Sequence, residues 1–311
     1  MVAVPNADHP DRRLRSPLTS SQPVTEPTLT GKAPAKLNLF LRVLAREQSG
    51  YHGIETLFCR IGLADDISVT LAEPSAGVQL EVDGPDLGPL EENLAFRAAE
   101  TVLNATGRRF GLRVRLRKQI PVAAGLGGGS SDAATVLELG NQLAGNPIPR
   151  AELLHYASRL GADVPFLLSG ASLALAWGHG ERLLRLPALP SAPVLLLVPP
   201  VGISTATAYG WVDQARQSAA PRGALALDLD SVSRWSDIAR MAGNDFESAV
   251  FGREPKIREA FEALARTQPL LCRMTGSGST VFALYRTVRD RDDAKMMLGK
   301  KHGLTLATDT G

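Results

Sequence analysis

The sequence predicts an α+β protein of two domains, and three observations carry that expectation. Period-two alternation marks strands at 33–44 and 112–117, whereas apolar residues recur at helical spacing in 93–106, 133–144, 151–160 and 255–267. A proline-dense stretch, Pro187-Ala188-Leu189-Pro190-Ser191-Ala192-Pro193, divides the chain as a linker. The 311 residues suffice for two hydrophobic cores.

Composition excludes several classes. Apolar content of 44% and charged content of 21% are values of a globular chain. A formal net charge of +2 argues against general nucleic-acid binding, and no apolar run is long enough to span a membrane. Cys59 and Cys272 form neither a metal-ligand spacing nor a disulfide framework, so buried thiols in a reducing, cytoplasmic compartment are expected. Residues 1–28 are rich in Pro, Ser, Thr and Arg and lack the apolar centre of a signal peptide. Asp8, Asp11 and Glu26 depart from the acid-poor pattern of a transit peptide, so this segment reads as a disordered tail.

From Ala33 to Leu44 the apolar residues Ala35, Leu37, Leu39, Leu41 and Val43 alternate with Lys36, Asn38, Phe40 and Arg42. A strand therefore projects Lys36 and Asn38 together from one face; solvent is the ordinary destination for such side chains. Ser49 to Gly53 is a polar turn that sets Tyr51 beside His52. An aromatic face and an imidazole suit a planar ligand, although a packed surface tyrosine has the same pattern. Val69, Leu71, Leu80 and Val82 indicate further strands, interrupted by Pro74, Gly77 and Gly84-Pro85. Asn93 is the expected N-cap of a helix reaching Thr106, with Gly107 as its stop.

Leu112 to Arg117 alternates strictly and delivers the chain into the stretch that matters most. Pro121, Val122, Ala123 and Ala124 lead into Gly125, Leu126, Gly127, Gly128 and Gly129, and Ser130, Ser131 and Asp132 are residue types that open a helix. Bare amides feeding a helix N-terminus favour a bound anion, and phosphate is the expected guest. Next, 151–160 reads as a helix stopped by Gly161, and Asp163 precedes an apolar stretch expected to be a strand, with Val164 held extended by Pro165. Leu173–Trp177 and Arg182–Leu186 read as strands around Gly178-His179-Gly180. Beyond the linker come a buried strand at Val194–Val198, a turn and helix from Gly202 to Val212, a polar surface loop at 216–224, and helices at 230–241, 246–251 and 255–267. Thr275 to Thr280 is a second glycine–hydroxyl turn ahead of a strand at Val281–Tyr285.

The order of the A-K-L-N strand, the G-L-G-G-G-S-S-D loop and the T-G-S-G-S turn resembles the GHMP small-molecule kinases. Gly50-Tyr51-His52, Gly161-Ala162-Asp163-Val164-Pro165 and Asn244-Asp245-Phe246-Glu247 make the resemblance strongest to the branch acting on 4-diphosphocytidyl-2-C-methyl-D-erythritol. It implies an N-terminal domain of the ribosomal-protein-S5 type at 29–187, a ferredoxin-like C-terminal domain at 193–311, and an active site between them. It also implies ATP with Mg²⁺ as phosphoryl donor, a small-molecule alcohol as acceptor, and a monomer or weak homodimer. Asp163 matches the family's base and Lys36 its partner. The loop from Pro121 to Ser131 matches the ATP site. Asn38, Tyr51, His52, Gly276 and Ser277 match substrate-binding positions, and a further aromatic against cytosine falls on Tyr209 or Trp211. Asp132 is expected to cap its helix or lie near the metal. Two other readings remain. One is a GHMP kinase acting on homoserine, mevalonate or a sugar, which gives Tyr51 and His52 no cytosine to hold. The other is a non-catalytic metabolite sensor, against which the joint presence of Lys36 and Asp163 counts.

Overall fold

A computed structural model describes residues 1–2, 26–48, 50–216 and 227–311. Nearly all of the expected tail (residues 3–25), Ser49, and residues 217–224 of the expected surface loop lie outside the described residues. Six strands build the first sheet: β1 (Thr28–Arg46), β2 (His52–Ala72), β3 (Val78–Asp83), β4 (Gly111–Arg117), β5 (Leu173–Gly178) and β6 (Arg182–Leu186). The order is β3-β4-β2-β5-β6, with β1 along the free edge of β2. β2 can serve so many partners because it is 21 residues long. Its 66–72 end pairs with β4 and its 54–59 end with β5, while β1 follows it from 52 to 70. Only β3 and β4 run parallel.

Four helices cover this sheet: α1 (Leu94–Ala105), α2 (Gly128–Leu143), α3 (Arg150–Leu160) and α4 (Val164–Ser169). Phe58, Val69, Leu112 and Val114 from the strands pack against Val102, Val136, Leu137 and Phe166 from the helices. Asn93 caps α1 as expected, its Oδ1 accepting from the Ala95 amide at 2.9 Å. Two local expectations fail. The stretch after Asp163 is α4 rather than a strand, because Pro165 sits in the first turn, where its missing N–H would have no partner anyway. α2 opens at Gly128, two residues early, with Gly127 left-handed at φ 72°. Asp132 is therefore inside the helix and caps nothing.

The second half holds β7 (Pro193–Val198), α5 (Thr205–Arg216), α6 (Trp235–Met241), α7 (Phe246–Phe251), α8 (Pro255–Ala265), β8 (Leu271–Met274), β9 (Val281–Leu284), α9 (Val288–Leu298) and β10 (Leu304–Asp309). Its sheet is antiparallel in the order β10-β7-β9-β8. The helix expected over 230–241 begins only at Trp235, because Arg234 is extended (φ −141°, ψ 141°). β8, α9 and β10 carried little sequence signal. α9 buries only Ala294 and Leu298, so its apolar stripe is too thin to read. Among the described residues no helix is long and apolar enough to cross a membrane.

β1 belongs to both halves. Its expected apolar face is buried, but Lys36, Asn38 and Phe40 are buried too, at 3%, 2% and 1% exposure, which rules out solvent as their destination. Leu37, Leu39, Leu57 and Ile61 share a core with Val194, Leu196, Phe282 and Leu284 across the linker. The Leu41 amide donates to Gly243 O at 2.8 Å, and the Asp245 amide returns a bond to Leu41 O at 3.0 Å. Asn244, 4% exposed, donates from Nδ2 to both Met274 O and Gly276 O at 2.8 Å. Asn244→Ala leaves those buried carbonyls unpaired and should lower unfolding free energy by about 1–3 kcal/mol. Urea denaturation checks this, and a loss below about 0.5 kcal/mol would show that water replaces the amide.

Candidate active site

Three adjoining cavities lead from the glycine loop of the first half to the junction of the two halves. The first, about 330 Å³, lies over the glycine loop and is lined by Pro121, Val122, Ala123, Ala124, and Gly125 through Ser130. The second, about 320 Å³, shares Gly125, Gly127 and Ser130 with it and adds Lys36, Asn38, Asp163, Gly276 and Ser277. The third, about 980 Å³, shares Ala162, His179, Thr205 and Tyr209 with the second and adds Tyr51, His52 and Asp213. A molecule entering the cleft therefore meets bare amides, then a lysine–carboxylate pair, then aromatic rings.

The central cavity is organised by Lys36. β1 delivers its ammonium into the interior, where Nζ donates to Asn38 Oδ1 at 2.8 Å and Gly125 O at 3.0 Å and lies 3.3 Å from Asp163 Oδ2. The ring of Phe58 lies 5.6 Å beneath it. Asp163 occupies the cap position of α4 with helical dihedrals and makes no side-chain cap bond, so its carboxylate faces Lys36 and the cavity. Asn38 pins this arrangement to the second half. Its Oδ1 also accepts from the Gly276 amide at 2.9 Å, while its Nδ2 donates to Thr56 Oγ1 at 2.8 Å.

The loop geometry depends on missing side chains. A Cβ on Gly125 (φ 77°) would stand 2.4 Å from Thr275 O, and one on Gly127 would stand 2.9 Å from Lys36 Cγ. Ser131 is placed apart from its neighbours: it is fully buried, and its hydroxyl donates to Pro34 O at 2.7 Å. Ser277 reaches Thr205 Oγ1 at 3.3 Å on the cavity rim.

At the far end Tyr51 is 68% exposed, with its ring 5.5 Å from that of His179. His52 is buried and stacks on Tyr209 at 5.0 Å and 12° between planes. Tyr209 also meets Phe246 edge-on. Burial, with the charge of Asp163 beside it, pushes the Tyr209 hydroxyl up to about 12. Helix phase turns Tyr209, and not Trp211, toward the cavities. Trp211 is partly buried against the core of the second half, under the Arg253 guanidinium, and lines none of the three cavities.

Sequence reasoning missed a buried ionic cluster beside the loop. Lys118 Nζ lies 2.5 Å from Asp65 Oδ2 and 2.8 Å from Asp132 Oδ2, and Lys118 lines the first cavity. Asp65 Oδ1 accepts from the Gln119 and Ile120 amides, fixing the chain as it enters the loop. The signal was present. Lys118 continues the inward series Leu112, Val114, Leu116, and Asp65 falls between the inward Ile61, Ile67 and Val69. His179 and Asp213 were missed as site residues because only the tertiary fold brings them to the cleft.

Burial, against the opposing pull of Lys118, raises the Asp132 carboxyl to about 7. A raised acid pKa means folding favours the protonated form, so this contribution to stability is complete below the usual carboxylate range and lost as pH rises through about 7. Stability measured relative to Asp132→Asn should therefore fall between about pH 4 and pH 7 and level off above. Parallel denaturation profiles for the two proteins across that range would contradict this.

The chain matches the family profile "GHMP kinases N terminal domain" over residues 93–171 and "GHMP kinases C terminal" over 208–302. A 4-diphosphocytidyl-2-C-methyl-D-erythritol kinase of Pelobacter propionicus is 40% identical, covering 86% of this chain and 92% of its own length. One from Geobacter sulfurreducens is 41% identical over 83% and 90%. A crystal structure of 4-(cytidine 5'-diphospho)-2C-methyl-D-erythritol kinase superposes with a TM-score of 0.75 at 35% identity, covering 91% of this chain and 99% of that one. A homoserine kinase from Cytophaga hutchinsonii shares the fold, with a TM-score of 0.66 at 19% identity over 93% and 96%.

Proposed function

The chain belongs to the GHMP kinase family, and on that premise we propose that it phosphorylates the 2-hydroxyl of 4-diphosphocytidyl-2-C-methyl-D-erythritol with ATP, a step toward isoprenoid precursors. The observation that carries this reading is the order of the cleft: phosphate loop, Lys36–Asp163 pair, then Tyr51, His52 and Tyr209. That order matches an acceptor whose alcohol lies at one end and whose base lies at the other. Relatives of about 40% identity carry the same activity in their names. Residues 29–187 and 193–311 act as the two domains, and the unpaired thiols of Cys59 and Cys272 favour a reducing, cytoplasmic setting for a monomer or weak homodimer.

Phosphoryl transfer asks mainly for alignment and charge neutralisation. Amides of Gly125 to Ser130 would bind the triphosphate at the start of α2, where the helix dipole adds to them. Asp163 would accept the proton of the acceptor hydroxyl as its oxygen bonds to the γ-phosphorus and the bond to the β-phosphate oxygen breaks, releasing ADP. Lys36, held by Asn38 and Gly125, orients that carboxylate and offsets negative charge on the phosphoryl oxygens. Mg²⁺ on the nucleotide would neutralise β- and γ-phosphate charge, with the Ser130 hydroxyl and Asp163 carboxylate as nearby oxygen donors. Among the described residues no group of three His, Cys, Asp or Glu could hold a metal by protein alone, which fits an ion liganded mostly by phosphate and water.

ATP consumption should require the cytidyl substrate and fail with mevalonate or homoserine; turnover on either of those instead would overturn the assignment. Asp163→Asn should lower kcat by about 10²–10⁴-fold with substrate affinity largely kept. Steady-state kinetics read this directly, and a variant retaining most of its turnover would remove Asp163 as the base. Tyr51→Ala should act on affinity, raising KM for the cytidyl substrate about tenfold, since a base–aromatic stack is worth about 1–3 kcal/mol. An unchanged KM would place the base elsewhere.

A further inference from the structure

The aromatic end of the cleft contains a carboxylate with no assigned role. Asp213 Oδ1 lies 2.7 Å from His52 Nε2. Asp213 is four residues beyond Tyr209 on α5, so one helix face holds the imidazole twice, by its plane through Tyr209 and by its Nε2 edge through Asp213. The imidazole is 5% exposed and Asp213 35%, so the ring has little freedom to turn away.

An ionised carboxylate only accepts hydrogen bonds, so the bonded Nε2 carries the proton, and a neutral imidazole then presents Nδ1 as an acceptor. Nδ1 makes no hydrogen bond among the described residues. Their solvent-inaccessible unpartnered side-chain atoms are Asp132 Oδ1, Arg273 Nε and Thr280 Oγ1; His52 Nδ1 is not among them and so keeps solvent access, and His52 lines the cavity. The other charged side chains around that cavity are Arg46, which is the cross-strand partner of His52, and Glu181, whose carboxylate accepts from the His179 amide.

We propose that Asp213 is a positioning residue that sets the choice of base. By fixing His52 as the Nε2–H tautomer it aims an acceptor at the exocyclic group of a bound pyrimidine. Cytosine offers an amine donor at that position, whereas uracil offers a carbonyl oxygen that an acceptor repels. This rests on the cytidyl-substrate reading and adds the device by which the site rejects the uridyl analogue.

The test uses the full-length protein with ring-¹⁵N histidine, and CDP and UDP as probes. At about pH 8, where an ordinary imidazole is neutral, His52 should show the Nε2–H tautomer. Wild-type protein should bind CDP at least about tenfold more tightly than UDP in calorimetry. In Asp213→Asn the amide can accept or donate, so the tautomers should mix and the CDP/UDP ratio should shrink toward one, with the cost on the kinase substrate falling on KM. Asp213→Glu, which keeps the carboxylate, should restore the ratio and guards against a merely structural defect. An Nδ1–H tautomer in the wild type, a ratio unchanged in Asp213→Asn, or no rescue by Asp213→Glu would each overturn the proposal while leaving the cytidyl reading intact. Binding of neither CDP nor UDP by the wild type would overturn that reading, and the proposal with it.

Discussion

The burial of one ammonium group shapes the centre of this molecule. Lys36 is carried inside by β1, where an unpaired charge would cost several kcal/mol, on the order of the penalty for any desolvated ion. An ammonium has three protons to place. Its partners are Asn38 Oδ1 on the same strand, Gly125 O in the glycine loop and Asp163 Oδ2 at the start of α4. Satisfying the charge therefore requires three separated segments to converge, and their point of convergence is the centre of the cleft.

Asn38 extends the same constraint across the linker. Its Oδ1 takes the lysine proton and the Gly276 amide, and Thr275 Oγ1 accepts from the Asn38 amide. The C-terminal turn is thereby held against the N-terminal strand, and Gly125 has room for Thr275 O only because it lacks a side chain. The Lys36–Asp163 pair proposed for the chemistry and the contact between the two halves share one hydrogen-bond network. A change that disturbs the network acts on both stability and the alignment of Asp163.

A second buried ionic group lies on the other side of the loop. Asp65, Lys118 and Asp132 tie β2, the end of β4 and α2 together just where the chain enters the glycines. The loop is flexible in composition but anchored at both flanks, by Asp65 against the Gln119 and Ile120 amides and by Ser131 against Pro34 O. A glycine-rich segment can then offer free amides between fixed ends, which lowers the ordering cost of wrapping a phosphate.

Much was legible from local pattern. Alternation in 33–44 and 112–117, the Asn93 cap and the helical stripes identify β1, β4, α1 and α3, and the glycine loop, proposed above to hold phosphate, stands out too, because each depends on residues close in the chain. The sequence by itself determined these elements and the kinase family of the chain. Only the tertiary structure decided that the polar side of β1 is buried, that Tyr209 rather than Trp211 lines the cleft, and that Asp213 meets His52. It also turned the stretch after Asp163 into a helix, against the expected strand. The physical reason is range. Periodicity and caps report on neighbours a few residues apart, whereas Gly125 for Lys36, Gly276 for Asn38 and Asp213 for His52 lie between 89 and 238 residues away, where burial and charge pairing choose among partners.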